Sequence, residues 1–490
     1  VSGPLGSFDT GFYGITLVHS DSESIKLYAA YAEAESIADW NAESGPAQLH
    51  IIGMLSAPDH ETRHFHDFLL SPFGASIMAL RIEATVNGIQ ALRSVIEMPH
   101  RHVPTPMRRW LEWEEGERND WVKQTGSYFG IGDIDDFICL PTPSQRRLTD
   151  SNSRPSLNNL TEGEVLALTS EAGFMAFSAL AQLRKPRDFD LGLDPVSPDA
   201  IFEATAHIVQ AQAVWRGQSE AAAAEYVKLL EGDSISSLAP YNRLRDALQQ
   251  HSPQIDIRRL SELFTWMLLG HPDELKGVGN PAARYFAVLM LAVSSPELLL
   301  LDVSTERLWA TLDQLTGSDW RANLRQSLVG FDTRQRKYDA LREQLEGELY
   351  DAIFDTADIW VSDSKRVIEA LLADPASYAT PLTYLTEMAG KLPLPFVRQH
   401  FQSAIDRRDE PFRSASVVAV TSEKDPRDVI AYVSAPASDG AQSARSVVLA
   451  MRASFYVDYC FFSEPPDSLL NHLMQEECKE MLSKELIHIY

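Results

Sequence analysis

Two short apolar runs, Gly14 to His19 and Gln48 to Met54, have the length and residue types of buried strands, and they flank a helical period from about Glu23 to Glu43. After the second run, Ser56-Ala57-Pro58-Asp59 forms a capping box with Pro in the first turn, which predicts a helix to about Leu70. Ser71-Pro72-Phe73-Gly74 breaks that helix, and an apolar helix follows from about Ala75 to Glu97. From Leu140 to Gly163 the apolar periodicity disappears and Pro, Ser, Asn and Thr dominate, as in a linker or surface loop. Helical period then returns at Glu164 to Arg184, Pro198 to Glu231, Asp256 to Leu269, Arg334 to Phe354 and Ser364 to Leu372. Ser416 to Thr421 and Val429 to Ser434 read as a strand pair, whereas Ser446 to Phe462 is too β-branched and aromatic to assign.

These elements predict an α+β chain that is predominantly α-helical, with a few strands in a small N-terminal region and a large helical remainder. The expected organisation is a metal-binding region over 1–140, a linker or mobile loop over 141–163, a helical region over 164–270 that completes the site, and a mainly helical domain with a small strand element over 271–490. A chain of 490 residues favours two or three packed units.

Composition narrows the function. With 69 acidic against 43 basic residues and a net charge of -26, the overall field repels phosphate backbones, so neither nucleic acid nor an anionic membrane is an expected partner. Cys139, Cys460 and Cys478 are too scattered for a disulfide framework, which fits a reducing, cytoplasmic setting. The longest apolar stretch, around Tyr285 to Val303, is interrupted by Ser294, Ser295, Pro296 and Glu297 and does not predict a bilayer span. Val1 to Ser7 lacks the pattern of a signal peptide, and Gly3 to Ser7 resembles the remnant of a removed tag.

The segment carrying chemistry is His60-Glu-Thr-Arg-His64. On a helix, His60 and His64 lie one turn apart on one face, so both imidazoles can reach a single ion beside Glu61. Asp67 follows one turn beyond His64, where it can orient a ligating imidazole from behind, and His66 is expected at the surface. The third ligand has two candidates. Glu83-Ala-Thr-Val-Asn-Gly-Ile-Gln-Ala91 and Glu203-Ala-Thr-Ala-His-Ile-Val-Gln-Ala211 share a glutamate, a polar residue one turn on and a glutamine one turn further. Glu83 is preferred; on the second helix Glu203 or His207 is the alternative to ligate or support the metal, with Asn87 as a supporting residue. His100, His102, Tyr128 and the Asp133, Asp135, Asp136 cluster offer weaker chemistry, and Cys139 lacks a basic partner for nucleophilic catalysis.

Over roughly Ile51 to Leu92 the chain resembles the zincin metallopeptidases, whose His-Glu-x-x-His signature is matched by His60, Glu61 and His64. The resemblance implies Zn²⁺ held by the two histidines, a glutamate from a following helix as in the gluzincins, and Glu61 as general base. The expected activity is hydrolysis of a peptide or protein substrate, with a protein regulator as a candidate partner of the C-terminal half. A non-enzymatic helical interaction protein and a carboxylate/histidine di-metal oxidase are the alternatives.

Overall fold

The computed structural model describes residues 6–9, 14–19, 60–61, 63–97, 195–217, 257–273, 277–300, 302–375, 417–422 and 430–433, with isolated positions at 116, 120, 183, 242–244, 246, 446–447, 450, 453–454 and 457. Helices dominate these residues. The first, α1, is described at residues 60, 61 and 63–70, and Ser71 separates it from α2, Pro72–Glu97. Ser71 caps α2: its Oγ accepts from the Gly74 amide at 3.3 Å while its own amide donates to the Asp67 carbonyl at 2.8 Å. Gly74 is required there, because a Cβ would lie 2.9 Å from the Phe68 backbone.

The remaining helices are α3 (Pro198–Gly217), α4 (Ile257–Leu268), α5 (Pro281–Ser294), α6 (Thr305–Thr316), α7 (Trp320–Arg342) and α8 (Glu348–Ala373). Their boundaries follow local chemistry. Asn280 caps α5 by accepting from the Ala282 amide at 3.0 Å, with Pro281 in the first turn, where its missing N–H leaves nothing unsatisfied. Residues 334–354, which the sequence pattern predicts as one helix, are divided between α7 and α8 at Gly347, whose φ of 133° is a glycine conformation. In the stretch 446–457, open on sequence grounds, the described residues are helical.

The chain divides into two units. One comprises 1–77, 182–336 and 358–444, the other 78–181, 337–357 and 445–490. In the first, α3 packs against α4 and α5, and α4 also against α5 and α6. α4 buries Leu263, Phe264, Trp266 and Met267, and Trp309 Nε1 donates to its Glu262 carbonyl at 3.0 Å. The Arg284 guanidinium lies 3.5 Å from the centre of the Trp266 ring and donates to the Trp266 carbonyl, so its buried charge is stacked and hydrogen-bonded. Burial lowers Arg284 to about 9, opposed by Asp313, which leaves it charged at neutral pH.

A four-stranded sheet in the same unit joins residues 6–19 to residues 417–433. β1 (Gly6–Asp9) pairs antiparallel with β2 (Gly14–His19), β2 pairs parallel with β3 (Val417–Ser422), and β3 pairs antiparallel with β4 (Ile430–Val433). The second unit holds Glu83 against Lys337, Arg81 against Ser454 Oγ at 2.9 Å, and Asp355 against Ser446 at 2.9 Å.

The expected fold class is corrected by this arrangement. A small strand-containing zincin-like region around the motif is not seen among the described residues: the motif lies in helical surroundings, and residues 48–54, the expected leading strand, fall outside those described. Every described residue of α1 is buried, and Phe68 packs on Phe202 of the helix α3. The expected helix at 23–43 and the loop at 141–163 also lie outside the described residues. No single helix among the described residues is long and apolar enough to cross a membrane. The pair 63–70 and 72–90 that together approach that composition bends by 92° and contains the buried charges of Arg63 and Asp67.

Candidate metal centre

α1 buries an unusual run of polar side chains: His60, Glu61, Arg63, His64, His66 and Asp67 alternate with Phe65, Phe68 and Leu69. Burying a polar group without a partner costs about 1–3 kcal/mol, and a charge costs more, so each needs an explanation. Arg63 and Asp67 explain each other. Their side chains are both fully buried, Arg63 Nε lies 2.8 Å from Asp67 Oδ1, and Arg63 Nη2 donates to Thr265 Oγ1 of α4 at 3.2 Å. Asp67, expected behind a ligating imidazole, is thus paired with Arg63. Burial raises its carboxyl to about 6, while Arg63 and then His64 pull it down. His66 is buried at 1% exposure, which corrects its expected place at the surface.

His60, Glu61 and His64 meet Glu203 of α3. Phe68 stacks on Phe202 at 4.6 Å between ring centres, fixing α1 against α3 one residue from the carboxylate. Glu203 Oε2 lies 3.3 Å from His60 Nε2, Glu203 Oε1 lies 3.3 Å from His64 Nε2, and the two imidazole nitrogens are 3.1 Å apart. An ion bound tetrahedrally at 2.0–2.1 Å holds its ligand atoms about 3.3 Å from one another. Each separation is close to that edge, the two imidazoles facing different oxygens of the one carboxylate, and two imidazoles with one carboxylate are a donor set suited to a borderline divalent ion such as zinc.

The side chains of the cluster shift one another's titration. Burial alone would depress the His64 imidazolium, but the charge and hydrogen bond of Glu203, aided by Glu61 and Asp67, raise it to about 9. Burial opposes ionisation of Glu203, yet His64 and His60 hold its carboxyl well below the usual range. In Glu61, burial raises the carboxyl, the two histidines lower it and Glu203 raises it further, with a net upward shift. Glu61 Oε2 and His60 Nδ1 are buried with no hydrogen-bond partner among the described residues. The Glu203 side chain is 31% exposed, so the cluster is open to solvent from that side.

His207 stands one turn beyond Glu203. Its Nε2 is 3.9 Å from Glu203 Oε2 and its ring centre 4.5 Å from that of His60. Burial and then the neighbouring His60 charge lower it to about 3, keeping the imidazole neutral.

Glu83, the preferred third ligand on sequence grounds, is bound to Lys337, and Asn87 of the same helix is fully buried in the second unit. The structure brings together His60, Glu61, His64, Glu203 and His207 and gives Glu83 a different partner. Sequence reasoning overlooked Arg63 and Thr265, whose contact ties the motif helix to α4. Arg63 at four residues before Asp67 was the available signal. His100, His102, Tyr128, Cys139 and the aspartates at 133, 135 and 136 lie outside the described residues. No protein-family model matches the chain, and no curated protein or solved structure matches it.

Proposed function

We propose that this protein is a metal-dependent hydrolase in which His60, His64 and Glu203 hold one divalent ion, most suitably Zn²⁺, and Glu61 is the general base. The observation that carries the reading is the carboxylate of Glu203, each of whose oxygens lies 3.3 Å from one imidazole nitrogen of the His-Glu-x-x-His pair. A bound ion supplies Lewis acidity, which polarises a carbonyl and makes water easier to deprotonate. Glu61, whose carboxyl is raised by burial, accepts the proton of the attacking water and returns it to the leaving group. Arg63, clamped to Asp67 and Thr265, keeps the turn of α1 that carries His64 in register with α4.

The resemblance of residues 60–64 to the zincins makes a peptide or protein the proposed substrate. The physical argument reaches metal-assisted cleavage of an amide or ester. Elemental analysis after dialysis tests the first half: one zinc per chain in the wild type and none in His60→Ala supports the reading. Absence of metal from the wild type contradicts it, and two ions per chain would favour the di-metal alternative. A Glu61→Gln protein should retain zinc yet lose about 10²–10⁴-fold in the rate of peptide hydrolysis. Full activity in that variant would remove Glu61 from the role of base.

A further inference from the structure

We infer that His207 is a fourth protein ligand, so that three imidazoles and one carboxylate surround the ion. The inference rests on the single-ion reading above and extends it to a residue outside the His-Glu-x-x-His motif. Glu203 and His207 are one helical turn apart on α3, mirroring His60 and His64 on α1, so each helix offers a pair of donors from one face. The ligand atoms of His60, Glu203 and His207 lie within 4.8 Å of one another.

Two donors bound to the same ion at 2.0–2.1 Å cannot be more than about 4.2 Å apart. The 3.9 Å between His207 Nε2 and Glu203 Oε2 is inside that limit, and the His207 and His60 ring centres are 4.5 Å apart. A second feature holds the ring. His207 shares a side-chain hydrogen bond with Gln210, the next polar residue on the same face, and Gln210 is itself buried. A partner behind a ligating imidazole that fixes its orientation is the usual companion of a metal-binding histidine.

The consequence is a preference among ions. Three imidazoles and a carboxylate leave room for substrate or water if the ion accepts five ligands, as Zn²⁺, Co²⁺ and Fe²⁺ can, and the nitrogen-rich donor set disfavours Mg²⁺ and Ca²⁺, which prefer oxygen.

Titration with Co²⁺ followed by visible absorption tests this without reference to activity. The wild type should bind one equivalent with the weak bands of five-coordinate cobalt. His207→Ala should lose at least about tenfold in affinity, with the bands strengthening toward those of four-coordinate cobalt. Unchanged affinity and an unchanged spectrum in His207→Ala would overturn the assignment and leave the single-ion reading standing. Failure of the wild type to bind Co²⁺ or Zn²⁺ would overturn both. X-ray absorption at the zinc edge of the wild type checks the count independently of any variant: three imidazoles support the inference and two contradict it.

Discussion

Helices α2 and α3 carry nine-residue segments identical at five positions, with glutamate, a polar residue and glutamine at matching offsets, yet the glutamates meet different partners. In α3 the glutamate faces two histidines and is held ionised by them. In α2 the corresponding glutamate faces Lys337, and the position matching His207 is Asn87. A carboxylate takes its role from what the fold sets opposite it: a lysine makes an ion pair, whereas paired imidazoles make a donor set for a cation. The stripe of polar residues on an apolar helix announces that a partner exists and is silent about which one.

The largest expected effect breaks the comparison at α3. Glu203→Ala should lower zinc affinity by more than about 100-fold, since it removes a direct ligand, whereas loss of an outer partner costs 10–100-fold. Isothermal titration of the apoprotein reads this directly, and retention of tight binding would mean that Glu203 is not a ligand.

Next comes the scaffold that holds α1 in place. Arg63→Met leaves Asp67 buried without its cation and should destabilise the fold by about 3–5 kcal/mol in denaturant unfolding. A loss under about 1 kcal/mol would show that Asp67 finds another partner.

Proton competition is smaller and graded. Glu203 holds His64 protonated up to about 9 in the metal-free site, so binding at neutral pH displaces a proton. Below that value the affinity should fall by about tenfold for each unit of pH, and above it the dependence should flatten. An affinity independent of pH from 6 to about 8 would exclude His64 as the protonated ligand.

The smallest effect belongs to α2. Glu83→Ala should leave zinc content unchanged and cost at most about 1 kcal/mol, because its pair with Lys337 is partly exposed.

Much of this was legible in the sequence, and the limits have physical causes. The shared face of His60 and His64 followed from helical spacing, because the two are neighbours through one turn whatever the tertiary fold. Both glutamates were also visible as candidate completions, since each sits in a polar stripe that burial would not tolerate alone. The choice between them depended on packing between segments more than a hundred residues apart, and no local pattern encodes that. The environment of α1 failed for a similar reason. An apolar run before a polar helix reads as a strand entering a zincin-like sheet, but a helix buried on every side is covered equally well by other helices. His66 was placed at the surface from its angular position, an argument that holds only when one side of a helix faces water.

The central claim is that Glu203, not Glu83, closes the site. Diffraction from zinc-loaded crystals at the zinc absorption edge tests it most directly. The account predicts one anomalous peak about 2.0–2.2 Å from His60 Nε2, His64 Nε2 and a carboxylate oxygen of Glu203. A peak bound by Glu83, or histidines that diverge with no peak between them, would contradict it.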